Sequence, residues 1–69
     1  MPRFHEREDE PTVELSVRFT GNETELAYQI DDAGTLHWIP FSQTVERHIK
    51  GGEGTIIIYE WLAKKKGLI

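Results

Sequence analysis

The residues of this chain that could do chemistry are few and scattered. His5, His37 and His48 lie far apart in the sequence, whereas histidine metal sites usually show closer ligand pairs, such as two on one helix face. Histidines on strand surfaces are the plainer reading. Asp31-Asp32 could meet a cation, but adjacent acids in a turn are more often turn formers, and the repeated oxygen ligands of a calcium loop are missing. Ser16 and Ser42 have no evident base; two residues after Pro40, a Ser42 hydroxyl is better suited to satisfying a backbone group than to attack. Lys50-Gly51-Gly52-Glu53-Gly54 is glycine-rich like a phosphate loop. It lacks the Gly-Lys-Ser/Thr ending and puts an acid where phosphate would sit, so a hairpin loop explains it better. Asn22-Glu23-Thr24 fits the glycosylation pattern, which means nothing without a secretory signal. No catalytic set, metal site or cofactor motif is therefore read, and the chain is expected not to be an enzyme.

Two features survive that weighing. The first is the aromatic and apolar density between Trp38 and Trp61, which includes Phe41, Tyr59 and the triplet Ile56-Ile57-Ile58. Most of it reads as core, yet Trp38, Phe41 and Trp61 are also candidates for binding. The second is the cluster Lys64-Lys65-Lys66 beside Trp61, with Lys50 upstream. These lysines suit a solvated helix end, and they would equally form a short basic patch for phosphates or an acidic protein.

The elements that must position these residues follow from the pattern. Val13, Leu15, Val17 and Phe19 alternate with Glu14, Ser16 and Arg18, the period of a half-buried strand over Thr12 to Phe19. Gly21-Asn22 is read as the following hairpin turn, and Thr24 to Ile30 as a second strand with Leu26, Tyr28 and Ile30 on one face. Asp31-Asp32-Ala33-Gly34 is read as a type I turn. A third strand runs Thr35 to Ile39 with Leu36 and Trp38 inward, stopped by Pro40. Val45, Arg47 and Ile49 alternate with Glu46 and His48; that stretch would also suit a helix, but the hairpin loop after it favours a strand. The isoleucine triplet within Thr55 to Tyr59 leaves no polar face, so that strand is expected to be covered on both sides. Glu60 to Lys66 has an acid first, lysines last and Gly67 as the stop, a helix in which Trp61, Leu62, Leu68 and Ile69 would share a side. The expected fold is mainly β: a small five-stranded antiparallel barrel-like or curved sheet with one C-terminal helix.

The chain has 69 residues, no cysteine and a net charge of −4, with eight Lys and Arg against twelve Asp and Glu. A flexible acidic arm over residues 1–11 followed by a single domain over 12–69 accounts for the length. A core this small is marginal, and without disulfides its reinforcement must come from packing, a partner or a second copy. The acids are concentrated in the arm and first strands, while the last twenty residues are net basic. That balance disfavours binding along a nucleic-acid backbone without excluding a local contact. The sequence has neither an apolar signal core nor a membrane-length run, so a cytoplasmic protein with no membrane association is expected.

The corner Trp38-Ile39-Pro40-Phe41-Ser42-Gln43 and the tail Glu60-Trp61-Leu62-Ala63-Lys64-Lys65-Lys66-Gly67-Leu68-Ile69 carry a resemblance. The chain resembles small uncharacterised phage and prophage proteins that pair a Trp-Leu/Ile-Pro-x-Ser-Gln corner with a Glu-Trp-Leu-Ala-x-x-Lys-Gly-Leu tail. The resemblance spans residues 36–69; its tail is fairly specific and its corner is short. Such proteins often have Pro before the tail helix, where this chain has Tyr59. The resemblance implies an accessory factor of a mobile element, kept in company with DNA recombination or replication functions, and carries over no catalytic residue. The corner also resembles the turn before the last strand of SH3-like barrels, a likeness of fold alone.

The function expected from these readings is contact with a protein, as an inhibitor or modulator of a host DNA-processing or defence protein. The competing expectation is a single-stranded nucleic-acid binder, stacking bases on Trp38, Phe41 or Trp61 and holding phosphates with Lys50 and Lys64 to Lys66. A homodimer through the Thr55 to Tyr59 strand is expected if that strand lies at a sheet edge.

Overall fold

The computed structural model describes residues 10–69. Most of the acidic arm expected over 1–11 lies outside the described residues. Five strands, β1 (Thr12–Glu23), β2 (Ala27–Asp32), β3 (Thr35–Pro40), β4 (Thr44–Lys50) and β5 (Glu53–Tyr59), precede one short helix, α1 (Glu60–Lys65). All neighbouring pairs are antiparallel, in the order β3-β2-β1-β5-β4. The expected mainly β fold is present as a curved sheet; it is not a closed barrel, because β3 and β4 remain as edges. Those two edges are consecutive in sequence, joined by a one-turn 3-10 helix at Phe41–Gln43. Among the described residues no helix is long and apolar enough to cross a membrane.

The order overturns one expectation directly. β5 lies between β1 and β4, so the Thr55 to Tyr59 segment is bonded on both sides and offers no edge through which a second copy could pair. Three isoleucines can sit there because β5 is an interior strand whose backbone is bonded on both sides and needs no solvent. Ile56 and Ile58 are fully buried on the inner face. Ile57 points outward between Glu14 and Glu46 and stays half-buried, so the outer side is covered only in part.

Gly21-Asn22 does not turn the chain either. β1 continues through both residues, with an irregular register between Phe19 and Glu23 where Gly21 takes φ 93°. That positive φ is open to glycine and lets the strand bend instead of ending. The reversal comes at Thr24–Leu26, where Thr24 Oγ1 accepts the N–H groups of Leu26 (3.2 Å) and Ala27 (3.1 Å). Leu26 therefore sits in a turn, exposed, and not on the face of Tyr28 and Ile30.

The β2–β3 turn is not the expected type I turn. Only Ala33 and Gly34 lie between the paired residues Asp32 and Thr35, and both have positive φ, 54° and 93°. This is the type I′ geometry that matches strand twist. It places Ile30 opposite His37 and Tyr28 opposite Ile39, so Ile39 is the buried residue of β3. Leu36 and Trp38, expected inward, point outward and are 55% and 42% exposed.

One core joins Val17, Tyr28, Ile30, Ile39, Ile56, Ile58, Leu62 and Ala63, with Val13, Leu15, Phe19, Phe41 and Leu68 packed against it. α1 caps this core with Leu62 and Ala63. The expected cluster on one side of the helix is split: Leu62 is buried and Leu68 half-buried, whereas Trp61 and Ile69 face solvent.

Candidate functional site

Several of the reactive side chains among the described residues have local structural partners, and His5 lies outside the described residues. Asp31 Oδ1 accepts the Gly34 N–H at 2.7 Å, which makes this carboxylate a turn clasp. His48 pairs with Glu46 at 3.2 Å on the exposed side of β4, and His37 is half-buried opposite Ile30. Ser42 Oγ receives Gln43 Nε2 at 3.5 Å. Among the described residues no group of three or more His, Cys, Asp or Glu is arranged to hold a metal ion.

Two of the hollows among the described residues bear on a binding site. The larger, about 530 Å³, is an open groove between the β2–β3 and β4–β5 hairpins, lined by Arg18, Asp31, Asp32, Lys50 and Glu53. Its charges are mixed in sign, two cations against three acids, and Arg18 is paired with Glu53 at 3.4 Å with both side chains largely exposed. Such a groove concentrates neither charge strongly. The smaller, about 170 Å³, lies at the bend of β1 among Phe19, Tyr28, Arg47 and Ile49. Arg47 roofs it: the guanidinium stands 4.7 Å from the Tyr28 ring centre and 4.9 Å from that of Phe41, and bonds Glu23 at 3.2 Å. Burial pushes the Tyr28 phenol above its ordinary pKa, outweighing the opposing effects of the Thr44 hydrogen bond and the Arg47 charge. These aromatic faces are thus already taken by a cation from the same chain.

The binding residues expected from the sequence are dispersed. Phe41 is half-buried in the 3-10 turn, its ring 5.0 Å from that of Tyr28, and serves packing. Trp61 is 47% exposed on the first turn of α1 and donates its indole N–H to Glu10 at 3.2 Å. Lys64 and Lys65 project from the end of α1 and Lys66 caps it, whereas Lys50 stands at the distant β4–β5 hairpin opposite Glu53. Trp38 is on β3, beside none of these lysines in sequence or register.

Trp38 instead gathers with a residue that the sequence reading assigned to the core. Leu36, Trp38 and Pro40 share the outer face of β3, opposite Asp31, Gln29 and Ala27. They also share a backbone direction. In a two-residue hairpin the closing pair, Asp32 and Thr35, exchanges hydrogen bonds, and every second pair repeats this. The bonded set is then Asp32 with Thr35, Ile30 with His37 and Tyr28 with Ile39, and the Phe41 N–H to Leu26 O bond at 2.8 Å continues the series. Leu36 and Trp38 fall between, so their N–H and C=O groups point away from β2 toward the open edge. Pro40 occupies the next such position, where its missing N–H costs nothing.

No family model, no curated protein and no solved structure matches the chain.

Proposed function

We propose that this chain is a non-enzymatic binding module that acts by protein–protein contact, taking an extended segment of its partner onto the edge of β3. The observation that carries this reading is the outward pair Leu36 and Trp38, whose large apolar side chains and outward backbone groups belong to the same edge strand. An added strand would gain main-chain hydrogen bonds from these residues and side-chain contact on one face, the usual division between affinity and specificity in strand addition. Trp is also the side chain most often central to a protein interface. The mobile-element context implied by the corner and tail motifs adds the class of partner, a host DNA-processing or defence protein that the module inhibits or modulates.

Photo-crosslinkers placed separately at Leu36, Trp38, Val45 and Trp61 test this in host lysate. The reading expects one defined protein joined through positions 36 and 38, whose purified form slows exchange of the Leu36 and Trp38 amides. Adducts confined to Trp61, or salt-sensitive capture of oligonucleotides in place of protein, would overturn it.

A further inference from the structure

The two edges of this sheet are treated very differently. β4 carries Glu46, Arg47 and Lys50, and a bulge at Val45 breaks its register between Thr44 and Glu46. Charges and bulges are the devices by which sheets prevent unwanted pairing. β3, Thr35-Leu36-His37-Trp38-Ile39-Pro40, has no Asp, Glu, Lys or Arg, and its six residues pair with β2 without a register shift. Only Pro40 blunts it, and only at one end. A protein that protects one edge with charges and a bulge, and leaves the other unbulged and without Asp, Glu, Lys or Arg, has an edge suited to pairing.

We infer that the edge of β3 pairs antiparallel with β3 of a second copy of this chain about a twofold axis at His37. This rests on the reading of β3 as a strand-accepting edge and goes on to name an occupant. The register is self-complementary. With His37 facing its own copy, Leu36 falls opposite Trp38 of the second chain and Trp38 opposite its Leu36. Both residues direct N–H and C=O outward, so each opposed pair exchanges two backbone hydrogen bonds, as an antiparallel ladder requires. Their side chains emerge on the same outer face, where leucine packs against indole at both ends of the axis. Isologous contact of this kind closes on itself and generates a dimer, not a fibre. Pro40 cannot extend the ladder, which fixes its length at that end.

A paired edge this short is smaller than the roughly 1,200–2,000 Å² of standard stable interfaces, so the dimer is weak and reversible. Each copy carries a net charge of −4, so screening by salt strengthens association, opposite to the behaviour of phosphate-backbone binding. A strong partner strand would displace the second copy, which makes the dimer the resting form of the binding edge.

Sedimentation equilibrium on the full chain, from about 10 µM to about 1 mM at two salt concentrations, is the test. The weight-average mass is expected to rise from 8.0 kDa toward twice that value. Trp38→Lys should weaken association at least tenfold with an unchanged circular dichroism spectrum, and Val45→Lys on the opposite edge should leave it unaltered. Leu36→Pro is the second variant: it removes an outward N–H and spares the bonds to β2, so it should also give a folded monomer. A wild-type mass that stays monomeric throughout overturns the dimer, as does association that survives both β3 variants or is abolished by Val45→Lys. Monomeric behaviour with crosslinking still directed to positions 36 and 38 would overturn the dimer alone and leave the partner-binding reading standing.

Discussion

The Tyr28 hydroxyl lies 2.8 Å from Thr44 Oγ1, joining β2 to β4, two strands that are not neighbours in the sheet. The direction of this bond follows from proton accounting. Thr44 has one hydroxyl proton, and it goes to Pro40 O at 3.0 Å, so Tyr28 donates and Thr44 accepts. The relay from Tyr28 through Thr44 to Pro40 ties the open sheet across the corner that joins its two edges. Arg47, lying over Tyr28 and Phe41, covers the same seam. The sheet is thereby held curved without a closing ladder.

Tyr28→Phe should cost about 1 kcal/mol of unfolding free energy in urea, the usual net value of one hydrogen bond, because Thr44 keeps its own acceptor. The raised phenol pKa adds a pH signature. The folded state holds this proton more tightly than the unfolded chain, so the contribution is complete below the ordinary tyrosine value and is lost as pH rises through the folded one. Urea melts between about pH 8 and pH 11 should show wild type losing stability more steeply than Tyr28→Phe.

Arg47→Lys should also destabilise, by about 0.5–1 kcal/mol in the same assay. Lysine keeps the charge but not the planar group that spans two rings and reaches Glu23. An unchanged melt would mean that Arg47 merely rests on the seam.

Gly54→Ala should be among the most damaging single substitutions in the sheet. A Cβ at this position would collide with the backbone carbonyl of His48 on β4, and backbone on a paired strand cannot move aside cheaply. A loss of about 2 kcal/mol or more, read as a lowered urea midpoint, is expected.

Ala33→Gly runs the other way. Ala33 holds φ at 54°, a left-handed conformation that an L side chain adopts at a cost and glycine does not. Allowing for the greater freedom of glycine in the unfolded chain, a gain of about 0.5–1 kcal/mol is expected, with the Asp31 clasp on Gly34 retained.

Most strands were legible because strict alternation, as in Val13 to Phe19, and hairpin chemistry, as in Lys50 to Gly54, are local signals. What local signals could not give was register. Taking Asp31 to Gly34 as a four-residue turn leaves the facing of β3 undecided, and both Leu36 with Trp38 and His37 with Ile39 offer an apolar residue to the core. The two-residue turn at Ala33-Gly34 decides it by placing Ile39 opposite Tyr28. The neighbours of β5 were equally hidden, since strand order depends on contacts distant in sequence; only the unbroken isoleucines hinted at an interior place. Of the candidate binding residues, Trp38 was found from the sequence as an aromatic. Leu36 was not, although Pro40, sharing its parity, marked the side of the strand on which no neighbour could bond.

The central claim, that the β3 edge receives a strand, is tested most directly by residue-resolved amide hydrogen exchange. In dilute solution the account predicts protected amides at His37 and Ile39, which bond β2, and rapid exchange at Leu36 and Trp38, which face outward. At about 1 mM chain, or with the crosslinked partner added, Leu36 and Trp38 should slow at least tenfold. Exchange at those two amides that is already slow in dilute solution, or that stays rapid while protection appears on β4 or α1, would contradict it.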